Sequence, residues 1–357
     1  MSQPVAGPHT RTPATIGGLM GQVLIAALPA TAFGVWLYGY PALLLLLLTL
    51  LAAVAGEALC LRLMGRPVGA GLRDGSALVA GWILAMSLPP WAPWWLAVVG
   101  GLFAAVVAKG AFGGTGQNLF NPAMAARVVL LVAFPAPMTR WVAPAPLGSE
   151  AAPGLGEALA ITFLGRADWD AVTSATTLDA ARTAVQEGQS LRGALAEHFD
   201  AAAALIGHGA GSLAEGSALL LLLGGLYLIG RRVVDWDAPL ALLLTLAALA
   251  AGFHALDPAR YAGAGVHLLS GATLLTAFFI VTDPTTSPAT RPGRLLFGAG
   301  CAGLIWLVRT YGGYPEAVAF AVLLMNACTP LIDHWVRPRI YGRSRRGRPL
   351  ATREEQP

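Results

Sequence analysis

The chain has 357 residues, of which 56% are hydrophobic and 12% charged, and a net charge of +4. That balance excludes an ordinary soluble domain and reads as an integral membrane protein. The arginines fall at the ends of apolar runs instead of along one face, which argues against a nucleic-acid partner, and Cys60, Cys301 and Cys328 stand singly, too scattered to assemble a zinc or iron–sulfur site.

Residues 1–21 are polar and proline-rich, without the basic start, short apolar core and small-residue cleavage site of a secretory signal, so they are expected to stay as a cytoplasmic tail. From there the chain alternates apolar runs with short loops. A crossing of the hydrocarbon layer needs about twenty apolar residues, fewer where a helix is broken against protein. Spans are predicted at 22–39, 42–63, 75–90, 94–109 and 121–135, then at 216–230, 238–255, 267–282, 295–309 and 316–333. Residues 22–135 and 216–335 thus form two membrane units, separated by a long polar insertion at 136–215 and followed by a basic tail at 336–357.

Charge sets the sides. With the N-terminus inside, Arg62, Arg66, Arg73, Lys109, Arg231, Arg232, Arg291 and Arg294 fall on the cytoplasmic side together with the arginine-rich tail, while the insertion holds more acidic residues than arginines. The bias places both termini in the cytoplasm and the insertion outside.

The two membrane units resemble each other. SALVAGWILAMSLPPWAP from Ser76 is similar to SGATLLTAFFIVTDPTTSP from Ser270, and Gly113-Gly114 matches Gly312-Gly313. An odd number of spans per unit inserts the second copy upside down, so the expected fold is an all-α polytopic membrane protein of about ten helices in two inverted five-helix repeats. The third and fifth spans of each unit are short and punctuated by Gly and Pro, the usual pointer to a central site.

Within KGAFGGTGQNLFNPAMAAR, three glycines permit irregular backbone, and Asn121-Pro122 is a good N-cap and first-turn pair, so a helix begins there with free amide ends. Asn121-Pro122-Ala123 suggests a channel motif, but the matching position is Tyr314-Pro315-Glu316, which leaves that motif without its second half. Glu57, within AVAGEALCL, and Asp283, ending FFIVTDP, are carboxylates in or beside the membrane. Such groups mark an ion pathway or a paired structural role, and Asp283-Pro284 reads equally as a helix stop. In the insertion, AVTSATTLD places Thr176 three residues before Asp179, the spacing of a capping box at a helix start.

GGTGQNLFNPA, FFIVTDPTTSP, YGGYPEAVAFAVLLMNACTPLID and TSATTL together resemble the D-subunit family of the Rnf complex, the bacterial ion-translocating ferredoxin:NAD oxidoreductase, and its relative, the B-type membrane component of the sodium-pumping NADH:quinone reductase. The resemblance implies an inner-membrane electron-transfer subunit with FMN ester-linked through its phosphate to the last threonine of a Ser/Thr-x-Ala-Thr sequence. Thr173-Ser174-Ala175-Thr176 fills that pattern, with Thr176 the attachment residue and Thr177 where the family usually has proline. It also implies attachment by a separate flavin transferase on the periplasmic side, the other Rnf subunits as partners, a core related to urea transporters, and a second, noncovalent riboflavin, expected near Asn118 and Asn121. The competing readings are the B-type component of the sodium pump and, in a different class, a urea-transporter-like channel without redox function. Flavin separates the two classes.

Overall fold

A computed structural model describes residues 15–167, 174–187, 189–207, 209–312 and 317–338. Among them there is no β-strand, and every predicted span holds a helix. The chain is an all-helical polytopic membrane protein. The first helix, Ile16–Leu63, begins earlier than expected because the Thr15 hydroxyl accepts from Gly18 N at 3.1 Å and caps it.

Predicted spans 22–39 and 42–63 are the two limbs of that single helix, kinked at Gly39 (φ 78°, ψ −165°) just before Pro41. The kink removes the donors that would serve the carbonyls of Trp36, Leu37 and Tyr38. All three carbonyls find replacements: Leu147 N at 2.8 Å, Ala145 N at 2.9 Å and the Trp91 indole N–H at 2.9 Å. The insertion is therefore stitched to the membrane unit through the backbone groups that the kink sets free.

Ser76–Ser87 and Pro122–Ala133 have 12 residues each, about 18 Å of helix against a hydrocarbon layer of about 30 Å. A bend and turn at Leu88–Pro93, with Ala92 N bonded to Pro89 O at 3.1 Å, and an irregular segment at Lys109–Asn121 complete the crossing. Trp94–Leu102 continues as a π-helical stretch, Phe103–Val107; in the second unit Ala264–Leu269 breaks at Ser270 and resumes as Thr273–Leu275 and the π-helical Thr276–Ile280. Asp237–Leu256, Arg291–Tyr311 and Val318–Trp335 are long and regular.

The loops sort into two ends. One joins Arg66 to Gly113 (2.9 Å), Asn118 to Thr285 (3.2 Å) and Ala289 to Asp333 (3.1 Å). The other carries the insertion, whose Leu213 N bonds Leu88 O at 3.4 Å and whose Gly209 O accepts from the Tyr38 hydroxyl at 3.0 Å. The N-terminal helix start belongs to the first end, and we refer to it as the inner end.

Glycine sets how closely the helices pack. A Cβ on Gly298 would lie 2.4 Å from Ala238 O, where Arg291–Tyr311 meets Asp237–Leu256, whereas Gly252 on the outside of the latter has no neighbour within 4 Å. Gly298→Leu is expected to cost about 1–3 kcal/mol by overpacking, and Gly252→Leu to stay within about 0.5 kcal/mol. Thermal unfolding of the two purified variants in the same detergent checks the order.

Candidate functional site

At the inner end, the break at Lys109–Asn121 and the turn after Ile280 face each other. Pro122 opens its helix, and the Asn121 side-chain oxygen caps it by accepting from Met124 N at 3.2 Å. The rest of Asn121 reaches into the second unit: its backbone N–H donates to Asn326 Oδ1 at 3.0 Å and its amide to Asp283 Oδ2 at 3.3 Å. Asn326, completely buried within Val318–Trp335, donates in turn to Thr286 O at 3.2 Å. Asn118 bridges the same gap, donating to Phe120 O at 3.1 Å and Thr285 Oγ1 at 3.2 Å.

Asp283 closes this junction. Its Oδ1 accepts from Thr285 N (3.0 Å) and Thr285 Oγ1 (2.9 Å), and its Oδ2 accepts from Thr286 Oγ1 (3.3 Å) and Asn121. A carboxylate has about four acceptor positions, so the turn and the neighbouring unit occupy them.

Beside the junction lies a cavity of about 160 Å³. Its polar rim includes Asn118, Asn121, Asp283 and Thr285; its apolar wall includes Val79, Ile83, Phe278 and Phe279. Lys109 also lines it and is 3% exposed. Its ammonium donates to Glu57 Oε2 at 2.5 Å and Ser76 Oγ at 2.6 Å, with Glu57 6% exposed. Glu57 is thus one half of a buried ion pair, a state that strongly resists loss of either partner. Ser76 passes the network outward to Asp74 Oδ1 (2.5 Å), whose other oxygen accepts from Thr115 Oγ1 at 2.7 Å. Asp74 lies in a loop; burial raises its carboxyl, but hydrogen bonds from Ser76 and Thr115 and the Lys109 charge outweigh that and hold it below the usual range.

At the outer end, Thr176 is the N-cap of the helix Thr177–Gln186. Its hydroxyl accepts from Asp179 N at 3.1 Å and donates to Asp179 Oδ2 at 2.9 Å. Burial raises the Asp179 carboxyl against the pull of the Thr176 hydrogen bond and the Arg182 charge. Ser174 and Ala175 precede it, half-buried and exposed, while Thr173 lies outside the described residues. One face of the helix, including Leu178, Arg182 and Gln186, walls a second cavity of about 120 Å³. Opposite stand Arg260, Tyr261, His267, Arg309 and Tyr311, the two tyrosine hydroxyls 3.0 Å apart. His267 Nδ1 and Arg309 Nε are buried and have no hydrogen-bond partner among the described residues, while the other Arg309 nitrogens cap the helix break through His267 O (2.8 Å), Ser270 O (3.3 Å) and Thr273 Oγ1 (3.0 Å).

The structure therefore gathers Asn118, Asn121 and Asp283 around one cavity, sets Glu57 behind Lys109 at its edge, and holds Thr176 apart at the other end. Sequence reasoning missed Asn326 and the Arg309–His267 wall. A lone asparagine within AVLLMNACTPL was a usable signal, since polar groups inside spans rarely lack a function; the placement of Arg309 opposite the Thr177–Gln186 helix had none, because distant segments supply the two sides.

The profile of the NQR2, RnfD, RnfE family matches residues 4–342. A protein of Halorhodospira halophila, described as the D component of an ion-translocating oxidoreductase complex, is 70% identical over 357 residues, all of both chains. Proteins of the same description from Stutzerimonas stutzeri and Escherichia coli are 53% and 42% identical, each over 94% of this chain and 95% and 97% of the relative.

The junction has a stability consequence. Asn326→Leu removes a partner from two backbone groups, Thr286 O, which Thr329 Oγ1 still serves at 3.0 Å, and Asn121 N, which is left orphaned. A loss of about 1–3 kcal/mol is expected for the orphaned amide, with Asn326→Asp, which retains the acceptor for Asn121 N, losing less. Thermal unfolding in detergent reads both.

Proposed function

The chain belongs to the NQR2, RnfD, RnfE family, and from that premise we propose that it is the D-type membrane component of an ion-translocating oxidoreductase complex. It carries FMN ester-linked to Thr176 at the outer end and riboflavin, noncovalently, in the inner cavity beside Asn118 and Asn121. The observation that carries the flavin reading is the position of Thr176 at the head of a helix whose face walls a cationic, tyrosine-bearing pocket.

The residues fit both groups. A phosphoester on Thr176 would lie at a helix N-terminus, where free amides favour an anion, with Arg182, Arg260 and Arg309 in the adjoining pocket. Esterification removes the proton now donated to Asp179 but leaves Thr176 Oγ1 able to accept from Asp179 N. Thr176 is 8% exposed, so this segment must be open when the transferase acts. In the inner cavity, Phe278, Phe279 and Ile83 offer an apolar wall to a flat ring, and Asn118, Asn121 and Thr285 offer polar edges. Bound flavin supplies the electron chemistry; the protein sets its position and electrostatic surroundings.

The outer and inner positions face opposite sides of a layer about 30 Å thick, too far for one efficient jump. Further carriers must come from partner subunits, because Cys60, Cys301 and Cys328 are free and no His/Cys/Asp/Glu cluster exists among the described residues. The arginine bias orients the inner end to the cytoplasm and the insertion to the periplasm of a bacterial inner membrane. The two units then run in opposite directions, as an inverted repeat requires.

Expressed with its transferase, the denatured wild-type chain is expected to show one ultraviolet-fluorescent flavin band. Thr176→Ala abolishes it and Thr177→Ala retains it; the opposite pair of results would move the ester to Thr177. In the assembled complex, Thr176→Ala is expected to stop electron transfer and ion pumping together, read as substrate turnover and membrane potential in vesicles. Topology is checked separately: Ser190→Cys reacts with an impermeant thiol reagent in intact spheroplasts, and Asp235→Cys only after lysis.

A further inference from the structure

At the outer end, where the helix Trp94–Leu102 begins and Pro122–Ala133 ends, lies a third cavity of about 310 Å³, roomier than the two described above. Trp91, Trp95, Pro137 and Ile161 give it apolar walls, and Arg140 is the charged residue among those that line it. The Trp91 indole N–H is spent on Tyr38 O at 2.9 Å, so that residue brings no donor to the cavity.

An exposed apolar surface continues from these walls. Trp95 meets Phe134 edge-on, with ring centroids 4.8 Å apart, and Phe163, two residues after Ile161, lies against Trp94 at 6.3 Å. Phe134, Phe163 and Trp94 are exposed, and so are Leu155 and Leu159, which with Phe163 form a stripe along the helix Leu155–Leu164. Its other face, Ala158, Ile161 and Thr162, is buried. A short helix with one face on protein and a leucine–phenylalanine stripe outward, beside the ends of two spans, has the pattern of one lying in the membrane interface.

Charge decides what fits there. Arginine is disfavoured on the outer side by the same bias that orients the chain. Residues 136–215 hold four arginines, yet Arg140 lines this cavity and Arg166 directly follows Gly165, another of its lining residues. Both side chains are exposed. A guanidinium presents its donors as a fork that matches phosphate oxygens, and tryptophan settles at the depth of the lipid headgroups.

We propose that this cavity binds one anionic glycerophospholipid from the leaflet at the outer end, with Arg140 on its phosphate and its acyl chains along Trp94, Leu159 and Phe163. A free phosphate ion would use the arginine but not the tryptophan walls or the stripe. The lipid also bears on the insertion. Trp141, next to Arg140, accepts from Ser174 N at 3.0 Å through its carbonyl, so a headgroup that fixes Arg140 steadies the approach to Thr176.

The test uses the full-length chain in detergent, washed free of native lipid. It is titrated with short-chain phosphatidylglycerol, short-chain phosphatidylcholine and inorganic phosphate, with bound lipid counted by native mass spectrometry and stability followed by thermal unfolding. One phosphatidylglycerol per chain is expected to bind and raise the unfolding temperature, phosphatidylcholine to bind more weakly, and inorganic phosphate to have no effect at the same concentration. Arg140→Gln is expected to weaken phosphatidylglycerol binding about tenfold, as loss of a charge-assisted contact does, and Arg140→Lys to keep most of it. Leu159→Ser, on the exposed stripe, weakens both lipids. Unfolding without added lipid reports that each variant has folded. Phosphatidylglycerol binding unchanged in both Arg140→Gln and Leu159→Ser overturns the site. Equal protection by inorganic phosphate replaces the lipid with a soluble anion, and absence of any bound lipid leaves the cavity to a protein partner; either result overturns the proposal.

Discussion

Inside a hydrocarbon layer, a backbone N–H or C=O without a partner costs several kcal/mol, and lipid supplies none. A helix can therefore break within the membrane only where another part of the protein supplies donors and acceptors. This chain breaks its helices repeatedly, and at each break the structure provides them. The carbonyls freed at Gly39 are taken by Leu147 N, Ala145 N and Trp91. Those at the Ala264–Leu269 break are taken by Arg309, and the amide at the head of Pro122–Ala133 by Asn326. In every case the helper comes from elsewhere in the chain, so the breaks themselves lock distant segments together.

The same demand builds the sites. Asn121 cannot satisfy its backbone without Asn326 or its side chain without Asp283, and drawing those residues together opens the inner cavity between the two membrane units. At the outer end, Arg309 reaches the broken carbonyls only because Gly271 (φ 69°) has no side chain: a Cβ there would lie 2.6 Å from the guanidinium and 3.0 Å from Leu178. That close approach also seats the Thr176 helix against the second membrane unit. Burial then dictates the charges. Lys109 is tolerated because Glu57 and Ser76 receive it.

Much of this was legible in the residues. Apolar runs of near-membrane length, Gly39 before Pro41, Pro89-Pro90 and Asn121-Pro122 carry their structural meaning locally, so helices, breaks and the Thr176 cap follow from neighbours within a few positions. The start of the first helix was set six residues too late because Ile16–Gly21 is only weakly apolar, and the Thr15 cap outweighed that composition. Glu57 was visible as a membrane carboxylate, but the distinction between a free ion ligand and a paired group depended on Lys109, 52 residues away.

By itself, then, the sequence determined the membrane class, the helical segments, the positions of their interruptions, and the threonine motif in the insertion, because each depends on hydrophobic length, backbone conformation or capping over a short stretch. Only the tertiary structure decided which distant groups satisfy those interruptions: Asn326 for Asn121, Arg309 for the Ser270 break, Lys109 for Glu57 and the Arg309–Tyr261 wall for the Thr176 helix. Local pattern states that a buried polar group needs a partner. Which partner it meets is fixed by how helices far apart in the chain pack within the bilayer.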